Sequence, residues 1–225
     1  MNATRLRAKA APSTTGGALA GATRGRARNY TQMLGLIHQA AIEVFAADGL
    51  AGASTQAIAH KAGLSKAQLH YYIESKEALY RQVLQDIVND WIGVFGFSDE
   101  ALGPRKVLTE LIQRRMQFSF DHPLRSRIFT AEMMRGAPAI REMMGTSRQR
   151  TEQAAAVIRN WAQRGLMDPV DPLLFLFHLW ASTQFYADHA AQVAFFRDAS
   201  MSNEKDRRYL TENVTDFLLK AAGVR

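Results

Sequence analysis

A chain of 225 residues with no cysteine is long enough to bury a core of its own, and it excludes disulfides, thiolate metal sites and cysteine nucleophiles together. The net charge of +7 is unevenly placed: Arg5, Arg7, Lys9, Arg24, Arg26 and Arg28 face no acid within residues 1–28, which leaves only +1 for the rest. The longest apolar run, Leu173 to Ala181 with His178 inside it, falls far short of the ~20 residues a membrane span needs, so no membrane partner is expected.

In chain order, the first segment, 1–28, reads as a basic arm kept unstructured by Pro12, Ser13, Gly16, Gly17 and Gly21. Such an arm suits phosphates or a minor groove; a solvated leader that only aids solubility has the same composition. It lacks the continuous apolar stretch of a secretory signal, although its Arg, Ser, Thr and Ala bias is also that of an organellar transit peptide. The absence of cysteine suits a reducing cytosol, and a cytoplasmic location is the expectation.

From Thr31 onward the pattern is helical. Ile37, Ala40, Ala41, Val44 and Phe45 form one apolar face of a first helix, which Gly49 stops. A second helix starts at Ser54 or Thr55 and ends at Gly63, burying Ile58, Ala59 and Ala62. The third is short, Ser65 to about Ile73, with Leu69, Tyr72 and Ile73 inward. Ser75 caps a long fourth helix whose apolar positions run from Leu79 to Phe95 at helical spacing. Further helices are expected over roughly Pro104 to Phe120, Pro123 to Arg135, Pro138 to Met144, Ser147 to Gly165, Asp171 to Ala191 and Arg208 to Ala222. The one long loop falls at about Phe196 to Asp206. The fold class is all-α: a three-helix helix-turn-helix domain over 29–78, followed by a helical domain over 79–225.

Residues 54–73 carry the chemistry. Ala62-Gly63-Leu64-Ser65 is a sharp turn between two short helices, with Gly63 free to take a positive φ. The geometry holds one short helix proud of the surface, where its first half can enter a major groove. The outward residues are Lys66, Ala67, Gln68, His70 and Tyr71: lysine reaches guanine or phosphate, Gln68 can pair with adenine, and His70 and Tyr71 can donate to phosphate. Lys76 stands at the start of the fourth helix, and Ser54, Thr55 and Gln56 open the second, where free N–H groups favour an anion. Ser65-Lys66-Ala67-Gln68 is equally a capping box, which would turn Gln68 back on its own helix, and Ser54 and Ser75 serve as N-caps in either reading.

The run STQAIAHKAGLSKAQLHYYIESKEAL, Ser54 to Leu79, resembles the signature of TetR-family regulators. The likeness covers Ile37 to about Val83 and departs at His70, where the family usually has Tyr, and at Ile73, where it usually has Phe. Tyr71-Tyr72, Ser75 to Tyr80, Glu132-Met133, Gly136-Ala137-Pro138, Asp171-Pro172, Trp180 to Gln184 and Tyr186-Ala187-Asp188 further resemble its RutR-like, pyrimidine-responsive subfamily. The resemblance implies a homodimer built by the last two helices, a double-stranded DNA operator, and a small-molecule effector of pyrimidine type. It implies a repressor relieved by that effector, with activation as the other direction.

Beside that resemblance, Phe177, Trp180, Ala181, Gln184 and Asp188 fall on one stripe of the helix from Asp171, offering a stacking indole, an amide and a carboxylate to a small lactam. Trp91, Phe129, Glu132 and Trp161 are candidate further walls of a ligand pocket. Trp180 also fits the core of a dimer interface, and an Arg127–Glu132 pair would occupy both residues structurally. The six histidines show no His-Glu-x-x-His spacing, and neither a Gly-x-Ser-x-Gly elbow nor a phosphate loop occurs, so no enzyme, metal or cofactor is expected. A DNA-binding protein without any effector is the remaining alternative.

Overall fold

The computed structural model describes residues 18–95, 97, 99–141, 143–197 and 202–225, with backbone alone for 18–27 and 92–95. Ten α-helices and one 3-10 turn account for the regular structure among them. The chain divides into two compact units, the first ending at Val83 and the second starting at Leu84, so the boundary lies five residues beyond the expected 78.

The first unit holds α1 (Ala18–Gly52), α2 (Thr55–Lys61), α3 (Lys66–Tyr72) and the start of α4 (Lys76–Phe95). The helix begins at Ala18, inside the arm expected to be unstructured, because Ala18, Leu19, Ala20, Ala22 and Ala27 favour helix enough to carry Gly21 and Gly25. Residues 1–17, with the first three arm cations, lie outside the described residues. Gly49 breaks α1 at φ 65°, ψ 179°, the stop its position suggests. Ile37, Ala40, Ala41, Val44 and Phe45 are buried, as are Ile58 and Ala59 of α2 and Leu69 of α3. Among the described residues one helical stretch, Arg28–Gly52, is long and apolar enough by length and composition to cross a membrane, and its buried face is the one that packs on α2.

In the second unit a 3-10 turn (Glu100–Leu102) leads into α5 (Gly103–Asp121), α6 (Pro123–Met134), α7 (Gly145–Gln163), α8 (Pro172–Asp188), α9 (Ala190–Arg197) and α10 (Glu204–Ala221). Helix α5 lies against both α8 and α10, and it buries Val107, Leu108, Leu111, Ile112, Met116 and Phe120 at helical spacing. Facing them are Ala155, Ile158 and Trp161 of α7, Phe175, Leu176 and Leu179 of α8, and Leu210, Val214, Leu218 and Leu219 of α10. Each such large side chain stabilises the unit by roughly 1.5–3 kcal/mol, so this core outweighs any one polar contact.

Caps set the ends. Asp171 accepts N–H bonds from Leu173 (2.9 Å) and Leu174 (3.0 Å), with Pro172 at the first helical position, so α8 starts where its sequence says it must. Two expected helices differ. The described residues from Pro138 to Met144 form turns and not a helix, since Gly136 (φ 86°) and Ala137 (φ 58°) are left-handed and the following segment is too short to nucleate alone; buried Ile140 anchors it. The helix expected over Asp171 to Ala191 breaks at His189 (φ −119°), and a separate helix, α9, runs from Ala190 to Arg197. Helix α10 also starts four residues early, capped by Asn203 on the Lys205 N–H at 2.9 Å.

Candidate functional site

In the first unit, two motifs hold α3 in place. The end of α2 is a Schellman turn: Leu64 N–H donates to the Ala59 carbonyl (2.8 Å), Gly63 N–H donates to the His60 carbonyl (3.1 Å), and Gly63 sits at φ +72°. The start of α3 is a reciprocal capping box: Ser65 Oγ accepts from the Gln68 N–H (3.2 Å) while Gln68 Oε1 accepts from the Ser65 N–H (2.8 Å). Leu69 is the α3 side chain fully withdrawn from solvent, with Ile73 buried just beyond the helix end. Lys66, Ala67, Gln68, His70 and Tyr71 are exposed, Tyr71 by 74%. A short helix whose polar side is this open, held by two backbone motifs and one leucine, can lay that side into a groove.

Several of the residues read as DNA contacts also have local duties. The Gln68 carbonyl is committed to the capping box, leaving its NH₂ and not the whole bidentate edge that adenine pairing uses. Ser54 Oγ accepts from the Ala57 N–H at 3.0 Å, while Thr55 is half-buried and Gln56 exposed beside it. Lys76 Nζ donates to the Ala53 carbonyl at 2.8 Å, tying the start of α4 to the residue before the α2 cap. Tyr72 is half-buried between Tyr71 (ring centroids 5.2 Å, near perpendicular) and Tyr30 of α1 (5.3 Å). This aromatic bracket has no sequence signal, because Tyr30 precedes the periodic part of α1.

In the second unit, Trp91 and Phe129 are brought together, but on each other: their rings lie 4.3 Å apart at 31°, so they form one wall and not a slot. Arg115 lies over the Trp91 ring (5.5 Å to the centroid), and its Nε donates to Thr183 Oγ1 at 2.8 Å. Burial pushes this guanidinium down to about 9. Arg115 went unnoticed in the sequence, yet the signal is there: it falls in register with Leu108, Leu111 and Ile112 on the buried face of α5.

Next to this cation lies a polar network between α6 and α8. Gln184 Nε2 donates to Thr130 Oγ1 (2.6 Å) and to Asp188 Oδ2 (3.2 Å); Thr130 Oγ1 donates to Asp188 Oδ2 (2.6 Å), and Ser126 Oγ donates to Asp188 Oδ1 (2.8 Å). Gln184 and Asp188 are thus joined as the stripe implied, while Ser126 and Thr130, some sixty residues away, were invisible to any local pattern.

Two expected walls, Glu132 and Trp161, have other work. Glu132, 1% exposed, accepts the Ala139 N–H at 2.7 Å and pairs at 3.8 Å with Arg135, holding the left-handed turn at Gly136 and Ala137. Trp161, also 1% exposed, is packed in the main core against Phe97 (5.5 Å) with its indole N–H 3.3 Å from the Glu100 carbonyl. Phe177 is half exposed, 5.4 Å from Trp180, which packs partly on the core. Arg125 pairs with Asp90, joining α6 to α4 within this unit.

Comparison with known proteins agrees with this division. Residues 37–83 match the family profile described as bacterial regulatory proteins, tetR family, and residues 84–225 match that of the YcdC-like protein, C-terminal region. The HTH-type transcriptional regulator RutR of Escherichia coli K12 is 35% identical over 204 residues, 90% of this chain and 95% of its own length. Among solved structures, the putative transcriptional regulator SCO4942 from Streptomyces coelicolor is similar at 25% identity and a TM-score of 0.61, covering 82% of this chain and 97% of that one. AibR, solved in complex with isovaleryl coenzyme A and operator DNA, shares the fold at 16% identity and a TM-score of 0.59, covering 83% of this chain and 96% of its own.

Proposed function

This chain belongs to the TetR family of DNA-binding transcriptional regulators, and we propose that it works as a cytoplasmic homodimeric repressor, released from a palindromic operator by a small planar metabolite of pyrimidine type. The observation that carries the DNA half is the outward polar side of α3, with Lys66, His70 and Tyr71 exposed above buried Leu69. Two such helices, one per subunit, meet successive major grooves on one face of the duplex. Exposed Leu174, Phe177 and Phe185 on α8 and Phe217 on α10 supply the apolar surface through which two copies pair.

The effector half rests on Gln184, Trp180 and the buried Arg115 beside Trp91 and Thr183. An arginine only donates, and Gln184 has its NH₂ engaged, so together they suit a ring carrying both carbonyl and N–H groups. RutR, the 35% identical relative, is itself an HTH-type transcriptional regulator, and AibR shows the fold holding a small ligand and operator DNA together. Helix α4 is continuous from Lys76 to Phe95, 20 residues and so ~30 Å, and passes from the DNA-binding unit into the sensing unit. A ligand that binds the off-DNA state ~100-fold more tightly biases such a switch by ~2.7 kcal/mol.

The test is selection of bound duplexes from a random pool, followed by titration of the selected operator complex with uracil, thymine and purine controls. Release by a pyrimidine alone supports the reading. Operator binding that no base in the panel weakens removes the pyrimidine effector.

A further inference from the structure

The α6–α8 network fixes more than the position of Gln184. As a carboxylate, Asp188 only accepts hydrogen bonds. The hydroxyls of Ser126 (2.8 Å) and Thr130 (2.6 Å) therefore both donate to it. Thr130 has one proton, spent on Asp188, so toward Gln184 its oxygen can only accept. The Gln184 atom 2.6 Å away must then be the nitrogen, and the same nitrogen meets Asp188 Oδ2 at 3.2 Å. Every proton in the chain is assigned from one charge. The consequence falls on the other end of the amide: the Gln184 carbonyl oxygen takes no part in the network and has no donor among the described residues.

We propose that Asp188 is a positioning residue, not an effector contact, which acts through Thr130 to hold the Gln184 amide with its carbonyl toward the ligand, so that the site selects effectors presenting an N–H donor. This rests on the reading of Gln184 as an effector contact. With three bonds already on its two oxygens, Asp188 has little left to offer a ligand directly. Replacing it by asparagine weakens the constraint: with the asparagine NH₂ toward Thr130, that hydroxyl donates to the Gln184 oxygen instead, so the amide populates both orientations. Selectivity for a donor edge falls while the side-chain volume is unchanged.

Two measurements on the full chain test this. The first needs no ligand: hydrogen exchange of the Gln184 side-chain NH₂, identified by its loss in Gln184→Leu, is slow in the wild type and at least tenfold faster in Asp188→Asn. The second compares uracil with 1,3-dimethyluracil, which keeps both carbonyls but has no N–H. The wild type favours uracil by at least tenfold, roughly what an unmet buried hydrogen bond is worth, and in Asp188→Asn the ratio falls below threefold. Rapid exchange in the wild type overturns the proposal whatever the ligand does. A preference for uracil that survives in Asp188→Asn overturns it too, since steric rejection of the methyl groups would not depend on Asp188. If neither compound binds, the pyrimidine reading fails while the exchange measurement still decides how the amide is held.

Discussion

Replacing Lys76 by methionine separates a structural bond from an electrostatic one. The ammonium donates to the carbonyl of Ala53 at 2.8 Å from a half-buried position, and Ala53 itself is buried, its own N–H on the Gly49 carbonyl at 3.1 Å. Methionine keeps the apolar stem and deletes the donor. A hydrogen bond to a charged group contributes ~1.5–3 kcal/mol, and partial exposure places this one near the lower half, at about 2 kcal/mol. With a urea slope of ~1–3 kcal/mol per M, the midpoint of the DNA-binding unit drops by about 1 M. If the same ammonium also neutralises a phosphate, the slope of log affinity against log salt falls by ~0.9 as well. Urea unfolding followed by operator titration at four salt concentrations reads both numbers. An unchanged urea midpoint refutes the bond to Ala53; an unchanged salt slope with a lowered midpoint makes Lys76 a structural residue only.

Gly63→Ala should cost about 1–2 kcal/mol by backbone strain alone, since Gly63 lies at φ +72° and an added Cβ meets no atom within 4 Å. Gly63→Asn should cost less; equal and negligible losses in urea unfolding would show that the turn relaxes. Asp121 joins the end of α5 to Arg207 of α10 (2.8 Å) and to Gln117 (2.6 Å); partial burial pushes its carboxyl up, but these bonds outweigh that and hold it below the usual range. Such a group stabilises the fold above its unfolded value and loses that contribution as pH falls through its lowered folded value. Asp121→Asn should therefore cost up to ~1 kcal/mol at pH 7, with the difference vanishing on acidification below the folded value; a difference that grows there would contradict the sign.

Much of this was legible in the sequence because its causes are local. The Schellman turn at Gly63 and the Ser65–Gln68 box are short-range patterns, and the apolar spacings of α1, α4 and α5 report buried faces directly. The capping-box alternative for Gln68 was visible for the same reason. What stayed hidden depends on partners far along the chain. Trp161 and Trp91 are alike in sequence, yet one packs in the core and the other beside Arg115, a difference set by which helix faces them. The sequence offers Glu132 as a ligand wall, and nothing in it says that a left-handed pair at Gly136 and Ala137 brings the Ala139 N–H to that carboxylate. The break at His189 has no sequence signal because Ala190 and Ala191 continue the helical composition, and what ends α8 is the non-helical backbone of His189 at φ −119°, ψ 29°.

The most direct test of the account is the affinity of the selected operator for Lys66→Ala/Tyr71→Ala, two exposed substitutions that leave Leu69 and the capping box in place. Fluorescence anisotropy at physiological salt should show at least a tenfold loss, with the circular-dichroism melting curve lowered by no more than the Tyr71–Tyr72 ring contact contributes, about 0.5–1.5 kcal/mol. Operator affinity within twofold of the wild type would mean that the outward side of α3 is not what meets the DNA.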